Sequence, residues 1–171
     1  MPSLAASSSS WLPATGLVTH FPIDWILILV FAFVVVIDSF RAGSSRAAVF
    51  AVSLPLTSLL FTFIPQTVLL DKVSHALSNK PLQLGLFGVL FVIIFLFVYS
   101  ITHSLGSSSR GMLQAVLSGL SASIVAVVMW IREPVLQFAW HFGSLPQLIF
   151  GAPFALFWLL GAYFALAFVR K

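Results

Sequence analysis

Leu82-Gln-Leu-Gly-Leu-Phe-Gly-Val-Leu-Phe-Val-Ile-Ile-Phe-Leu-Phe-Val-Tyr-Ser-Ile101 is the stretch that decides the fold class. It lies inside an interval of 29 residues, from Lys80 to Arg110, that carries no charged side chain. An α-helix rises about 1.5 Å per residue, so some 20 apolar residues cover the roughly 30 Å of a bilayer's hydrocarbon core. In water such a helix would present apolar side chains all round, with no polar face to solvate. Residues 82–101 therefore predict a membrane-crossing helix.

The same punctuation by charge continues in both directions. There are 24 uncharged residues between Arg46 and Asp71, 21 between Arg110 and Arg132, and 36 between Glu133 and Arg170. Each interval holds a helix long enough to cross. The whole composition agrees: 60% of the 171 residues are hydrophobic, 7% are charged, and the mean hydropathy is +1.12. A soluble domain carries about 25% charged residues to cover its surface. The expected architecture is all-α, a polytopic transmembrane bundle of about five helices plus an interfacial segment. The spans fall at 21–40, 47–70, 82–101, 112–131 and 153–169, and together they form one membrane domain over 21–171.

Three segments need separate treatment. Residues 1–20 are rich in Ser and Ala, and Met1 to Thr19 contains no Lys or Arg, so the basic start of a secretory signal is missing. A disordered tail leading into an uncleaved first helix is expected. In that helix only 13 residues separate Asp24 from Asp38, which places both acids near the interfaces. Pro22 suits a first helical turn, and Asp24 just after it would meet the favourable end of the helix dipole. The second span carries Pro55 and Pro65 beside Ser53, Thr57 and Ser58, a pattern compatible with a bent or partly re-entrant element. Residues 134–150, PVLQFAWHFGSLPQLIF, are aromatic-rich and broken by Gly143 and Pro146, as expected of an amphipathic segment at the membrane surface. No internal repeat is evident, which counts against an inverted-repeat transporter.

Charge also sets orientation. Five crossings put Arg41, Arg46, Arg110, Arg170 and Lys171 on one side and Lys72, Lys80 and Arg132 on the other. The positive-inside rule then makes the first side cytoplasmic, with an outside N-terminus and an inside C-terminus in a plasma (inner) membrane. Only Arg170 and Lys171 adjoin among the eight basic residues, so no nucleic-acid patch is expected. With no cysteine, disulfides and thiolate metal sites are excluded.

The densest polar feature is Asp38-Ser-Phe-Arg41-Ala-Gly43-Ser-Ser-Arg46. Asp38 and Arg41 are three apart, so on a continuing helix they share a face and can pair. Gly43 permits a sharp turn between antiparallel spans one and two. The plainer account is a helix end with a snorkelling Arg and a topogenic charge; the functional account is a recognition or gating corner. The run Ile23-Asp24-Trp25, followed by an apolar stretch and then Phe40-Arg41-Ala42-Gly43 and Arg46, resembles the colicin V production protein family. Those proteins open on an Ile-Asp-aromatic start to helix one and follow it with an Arg-Gly turn and a further basic residue. Here the turn is one residue longer, Ser44-Ser45 replace bulky apolar residues, and Ala47 stands where an acid often follows. The extra C-terminal span is a further departure. The resemblance covers roughly the first 50 positions. It implies an inner-membrane protein linked to toxin export or envelope maintenance. Asp24, Asp38, Arg41, Gly43 and Arg46, drawn from the polar hairpin and the family-like run together, are the candidate functional residues.

Small residues recur at four-residue intervals in the later spans: Ala115, Gly119 and Ser123, then Gly161 and Ala165. They suit close helix packing, within the chain or in a homo-oligomer. His20, His75, His103 and His141 are scattered, without metal-ligand spacing, and no nucleophile, metalloprotease or phosphate-loop motif occurs. Neither a catalytic site nor a cofactor is expected. The expected partners are the lipid bilayer and membrane proteins, including copies of the chain itself. An envelope scaffold or accessory protein of toxin export fits the lack of central ionisable residues. A small transporter or oligomeric channel, built around the Pro-broken second span, is the alternative.

Overall fold

The computed structural model describes residues 15–63, 79–104 and 111–169, with side chains from Ile23 onward except at 103, 104 and 169. Among them the chain forms helices and no strand. In chain order these are α1 (Thr15–Ala42), α2 (Ser44–Phe63), α3 (Lys80–Ser104), α4 (Met112–Arg132), α5 (Pro134–Ala139), α6 (Ser144–Phe150) and α7 (Ala155–Val169). The first four are each long and apolar enough to cross a membrane. A fifth crossing exists if α6 and α7 count as one broken span. This is a multi-pass helical membrane protein.

The helix α4 is the axis of the bundle, and α1, α2 and α7 pack around it. Twelve of its 21 residues are buried, among them Ala115, Ser118, Gly119, Ala122, Ser123 and Ala126. That run of small side chains is what allows three neighbours to approach, since helices in lipid associate by close contact rather than by escape from water. The tightest approach is at Gly119, where an added Cβ would stand 2.7 Å from the Cα of Val36 on α1. On its outer side α2 also carries α3, through edge-on ring pairs Phe50–Phe91 and Phe61–Phe87.

Several element boundaries differ from expectation. Residues 15–20, assigned to the tail, are helical and lengthen α1, while 1–14 lie outside the described residues. Pro22 consequently sits within α1 instead of opening it. The turn between spans one and two shrinks to Gly43 alone, whose φ of +91° only glycine adopts without strain. Its N–H donates to the Ser39 carbonyl at 3.0 Å and closes α1.

The second span is one continuous helix through Pro55, from Ser44 to Phe63. The expected remainder to 70, with Pro65, lies outside the described residues. The break falls instead in the fifth span. Expected to run straight over 153–169, it is a 15-residue helix set at 62° to α6. α6 ends at Phe150, and the N–H groups of Phe154 and Ala155 turn back to the Gly151 carbonyl, while the Ile149 carbonyl, which Pro153 has no N–H to meet, accepts from the Trp158 indole at 2.8 Å.

At the end of α4, Glu133 takes an extended conformation (φ −86°, ψ 113°). A residue before proline avoids the helical region, and Pro134 then occupies the first turn of α5. The segment 134–150, expected at the membrane surface, forms α5 and α6 and packs against the bundle. Phe142 and Phe150 are buried with Ile28, Val127, Val128 and Ile131.

Candidate functional site

The candidate residues separate to the two ends of α1. Ser39 meets Ser118, Val36 meets Gly119 and Ile28 packs with Val127 and Val128, so α1 and α4 run antiparallel. Asp38, Arg41, Gly43 and Arg46 gather at one end of the bundle. Asp24, two-thirds of the way back along α1, belongs with Glu133, Trp130 and the 140–143 loop at the other.

At the first end, Asp38 pairs with Arg46 at 3.4 Å and not with Arg41. The single-residue turn at Gly43 reverses the chain so tightly that the first turn of α2 comes alongside the last turn of α1. Arg46 then reaches Asp38 from the side. Asp38 and Arg46 are about half exposed, and Arg41 is exposed. Beside Asp38 on α1 but on the inward face, Ser39 is fully buried and shares a 2.8 Å hydrogen bond with Ser118 of α4.

At the second end Asp24 is 2% exposed. A carboxyl group buried in a membrane protein is costly unless donors meet it. Two donors do: the Gly143 backbone N–H at 2.8 Å and the Trp140 indole N–H at 3.2 Å. The Trp140 carbonyl in turn accepts from the Trp130 indole at 3.1 Å, and the Gln147 amide donates to the Phe142 carbonyl at 2.8 Å. The loop between α5 and α6 is thus pinned to α1 and α4. Asp24 lies more than two turns into α1, beyond the reach of its N-terminal dipole, so these donors replace the expected dipole contact. Nearby, the Ser58 hydroxyl donates to the carboxyl of Glu133, tying α2 to the α4–α5 junction.

Between the two ends, hydroxyls bond to backbone carbonyls of their own helices. Ser53 donates to Val49, Thr57 to Ser53 and Ser123 to Gly119, at 2.7, 2.7 and 2.8 Å. Pro55 has no N–H for the Ala51 carbonyl, and the Tyr163 hydroxyl of α7 donates to it at 2.9 Å. Ala115, Gly119 and Ser123 lie buried on α4, as close packing requires. On α7 the inward residues are Ala155 and Ala162, whereas Gly161 is exposed with open space beside it and Ala165 is half-buried.

Among the described residues no group of three or more His, Asp or Glu could hold a metal ion. His141 is exposed and within 3.2 Å of the Gln147 amide; the side chains of His20 and His103, and His75 altogether, lie outside the described residues. No protein-family model, curated protein or solved structure matches the chain.

Sequence reasoning missed Trp140, Gly143, Tyr163 and the Ser39–Ser118 pair. One signal was present: an acid within an apolar span needs donors, and Trp140-His-Phe-Gly143 is a stretch rich in them.

Proposed function

We propose that the protein is a non-catalytic scaffold or accessory protein of the cell envelope, in the manner its resemblance to colicin V production proteins implies. One observation carries this proposal. In the bundle interior Ser39, Ser53, Thr57, Ser118, Ser123 and Tyr163 are engaged with one another or with backbone carbonyls, while the charged corner of Asp38, Arg41 and Arg46 stands exposed. Ion or proton passage needs polar groups free to face a cavity. A scaffold needs the reverse: a rigid interior and a presented surface. The two halves of the family-like run fit that division. Ile23-Asp24-Trp25 fastens the 140–150 segment, with Trp25 packed on Phe150, and the Arg-Gly turn shapes the exposed corner.

In this proposal the membrane is the inner (plasma) membrane, the corner faces the cytoplasm, and its partner is another membrane or membrane-associated protein. Site-specific crosslinking from Arg41 and Ser45 in native membranes tests the docking corner, and recovery of a discrete protein adduct is expected. Recovery of lipid alone overturns it. Proton, sodium and potassium flux through liposomes containing the purified protein tests the rival transport function. Flux lost on replacing Asp38 or Pro55 would establish a channel or transporter instead of a scaffold.

A further inference from the structure

A second feature of the charged corner concerns what lies beneath it. Asp38 and Arg46 form the rim of a pocket of about 310 Å³, lined by Val34, Phe50, Phe91 and Phe95 from α1, α2 and α3. This is the lower end of the size range of small-molecule sites, about 300–1,000 Å³. The lining follows the helices inward. Val34 is one turn from Asp38 on α1 and Phe50 one turn from Arg46 on α2, so the pocket runs from the helix ends towards the middle of the membrane. Its walls are aromatic and aliphatic, with Phe50 set edge-on to Phe91 at 5.5 Å and Phe95 next to Phe91 at 6.0 Å. It is an amphipathic site, charged at the membrane boundary and apolar below.

We propose that this pocket binds a single phospholipid with a zwitterionic, primary-amine headgroup, one acyl chain lying against Phe50, Phe91 and Phe95. Charge complementarity selects the headgroup. Asp38 and Arg46 stand 3.4 Å apart and present one charge of each sign. A phosphate on the Arg46 guanidinium with an ammonium on the Asp38 carboxylate satisfies both. A net anionic headgroup gains Arg46 but meets repulsion from Asp38, whereas a polybasic patch would favour it. A quaternary ammonium carries the same charge as a primary one but has no N–H to donate to Asp38. Arg46 also suits phosphate better than Lys would, because its planar donors bond two oxygens at once. The depth of the pocket selects a lipid over a free phosphoamine, because its apolar walls would gain nothing from a water-soluble headgroup alone.

This site goes beyond the scaffold proposal and stands without it, since it requires only that the bundle lie in a membrane. Native mass spectrometry of the full chain in detergent, titrated separately with dioleoyl phosphatidylethanolamine, phosphatidylcholine and phosphatidylglycerol, reads it directly. Both side chains are half exposed, so the preference for phosphatidylethanolamine in the first bound lipid is modest, about three- to fivefold. Asp38→Asn should erase the preference over phosphatidylcholine and Asp38→Glu should retain it. Arg46→Gln should weaken both lipids alike. Val34→Trp, from a largely exposed position in the lining, should lower retention of all three. An unchanged preference in Asp38→Asn, tightest binding of phosphatidylglycerol, or full retention in Val34→Trp overturns the proposal. A failed crosslink at the corner would leave these readouts untouched.

Discussion

Asp24 shows how one side chain organises a membrane fold. Its two carboxyl oxygens accept from Gly143 and Trp140, residues more than 110 positions away in the chain. Asp24→Asn keeps the size but turns one acceptor into an NH₂ donor, which faces an N–H. One buried donor then goes unmet, at a cost of about 1–3 kcal/mol. The expected result is a lower melting temperature in detergent and a red-shifted Trp emission as Trp140 is released. Trp140→Phe, which removes one hydrogen bond and leaves Gly143 in place, should cost less. An Asp24→Asn protein that melts like the parent would mean that packing alone, through Phe142 and Phe150, holds the loop. Exposed pairs follow another rule. The Asp38–Arg46 contact adds at most about 1 kcal/mol to stability, so replacing either residue should leave the fold intact.

Between whole helices, the contacts that matter are the close ones. Gly119→Ala would drive a methyl into the backbone of Val36, and α1 and α4 must separate to admit it. An overpacking cost of about 1–3 kcal/mol is expected, read as a lower unfolding midpoint. The same substitution at Gly161, with open space around it, should be neutral or slightly stabilising. The proline in α2 gives a sharper test. Tyr163→Phe leaves the Ala51 carbonyl unmet at a cost of about 0.6 kcal/mol, the average for hydrogen bonds between membrane helices, and at most about 1.7 kcal/mol. Pro55→Ala restores the N–H at position 55, which then bonds that carbonyl within the helix. In the Pro55→Ala background Tyr163→Phe should therefore cost much less, and the non-additivity measures the coupling. Equal costs in the two backgrounds would show that the hydroxyl is not compensating for the proline. Pro55 itself was visible in the sequence. Its remedy was not, because Tyr163 lies 112 residues from Ala51, on a helix whose facing side carries no pattern.

The number of crossings is decided at the scale of the whole molecule. Cysteines introduced at Ser45, in the first turn of α2, and at Asn79, just before α3, should label from opposite sides of the membrane; labelling from one side would remove α2 as a crossing. The spans around 82–101 and 112–131 could be read from composition alone, since apolar length summed over about 20 residues is a local quantity. The corner at Gly43 was legible too, because a glycine between two apolar runs with basic flanks leaves few alternatives. Which face of each helix turns inward was not. In water a helix announces its buried side by polar residues on the other. In lipid both sides are apolar, so α3 and α7 carry no such signal, and the inward residue on α7 proved to be Ala162 and not its neighbour Gly161. Composition and the spacing of charges are enough to establish a helical, multi-pass membrane protein and to locate most of its helices. It took the packing of the helices to establish that α4 is the axis, that Asp24 and Asp38 serve opposite ends, that Arg46 and not Arg41 meets Asp38, and that 134–150 folds onto the bundle. The physical reason is that burial in lipid discriminates by fit and by donors met, and both depend on residues far apart in the chain.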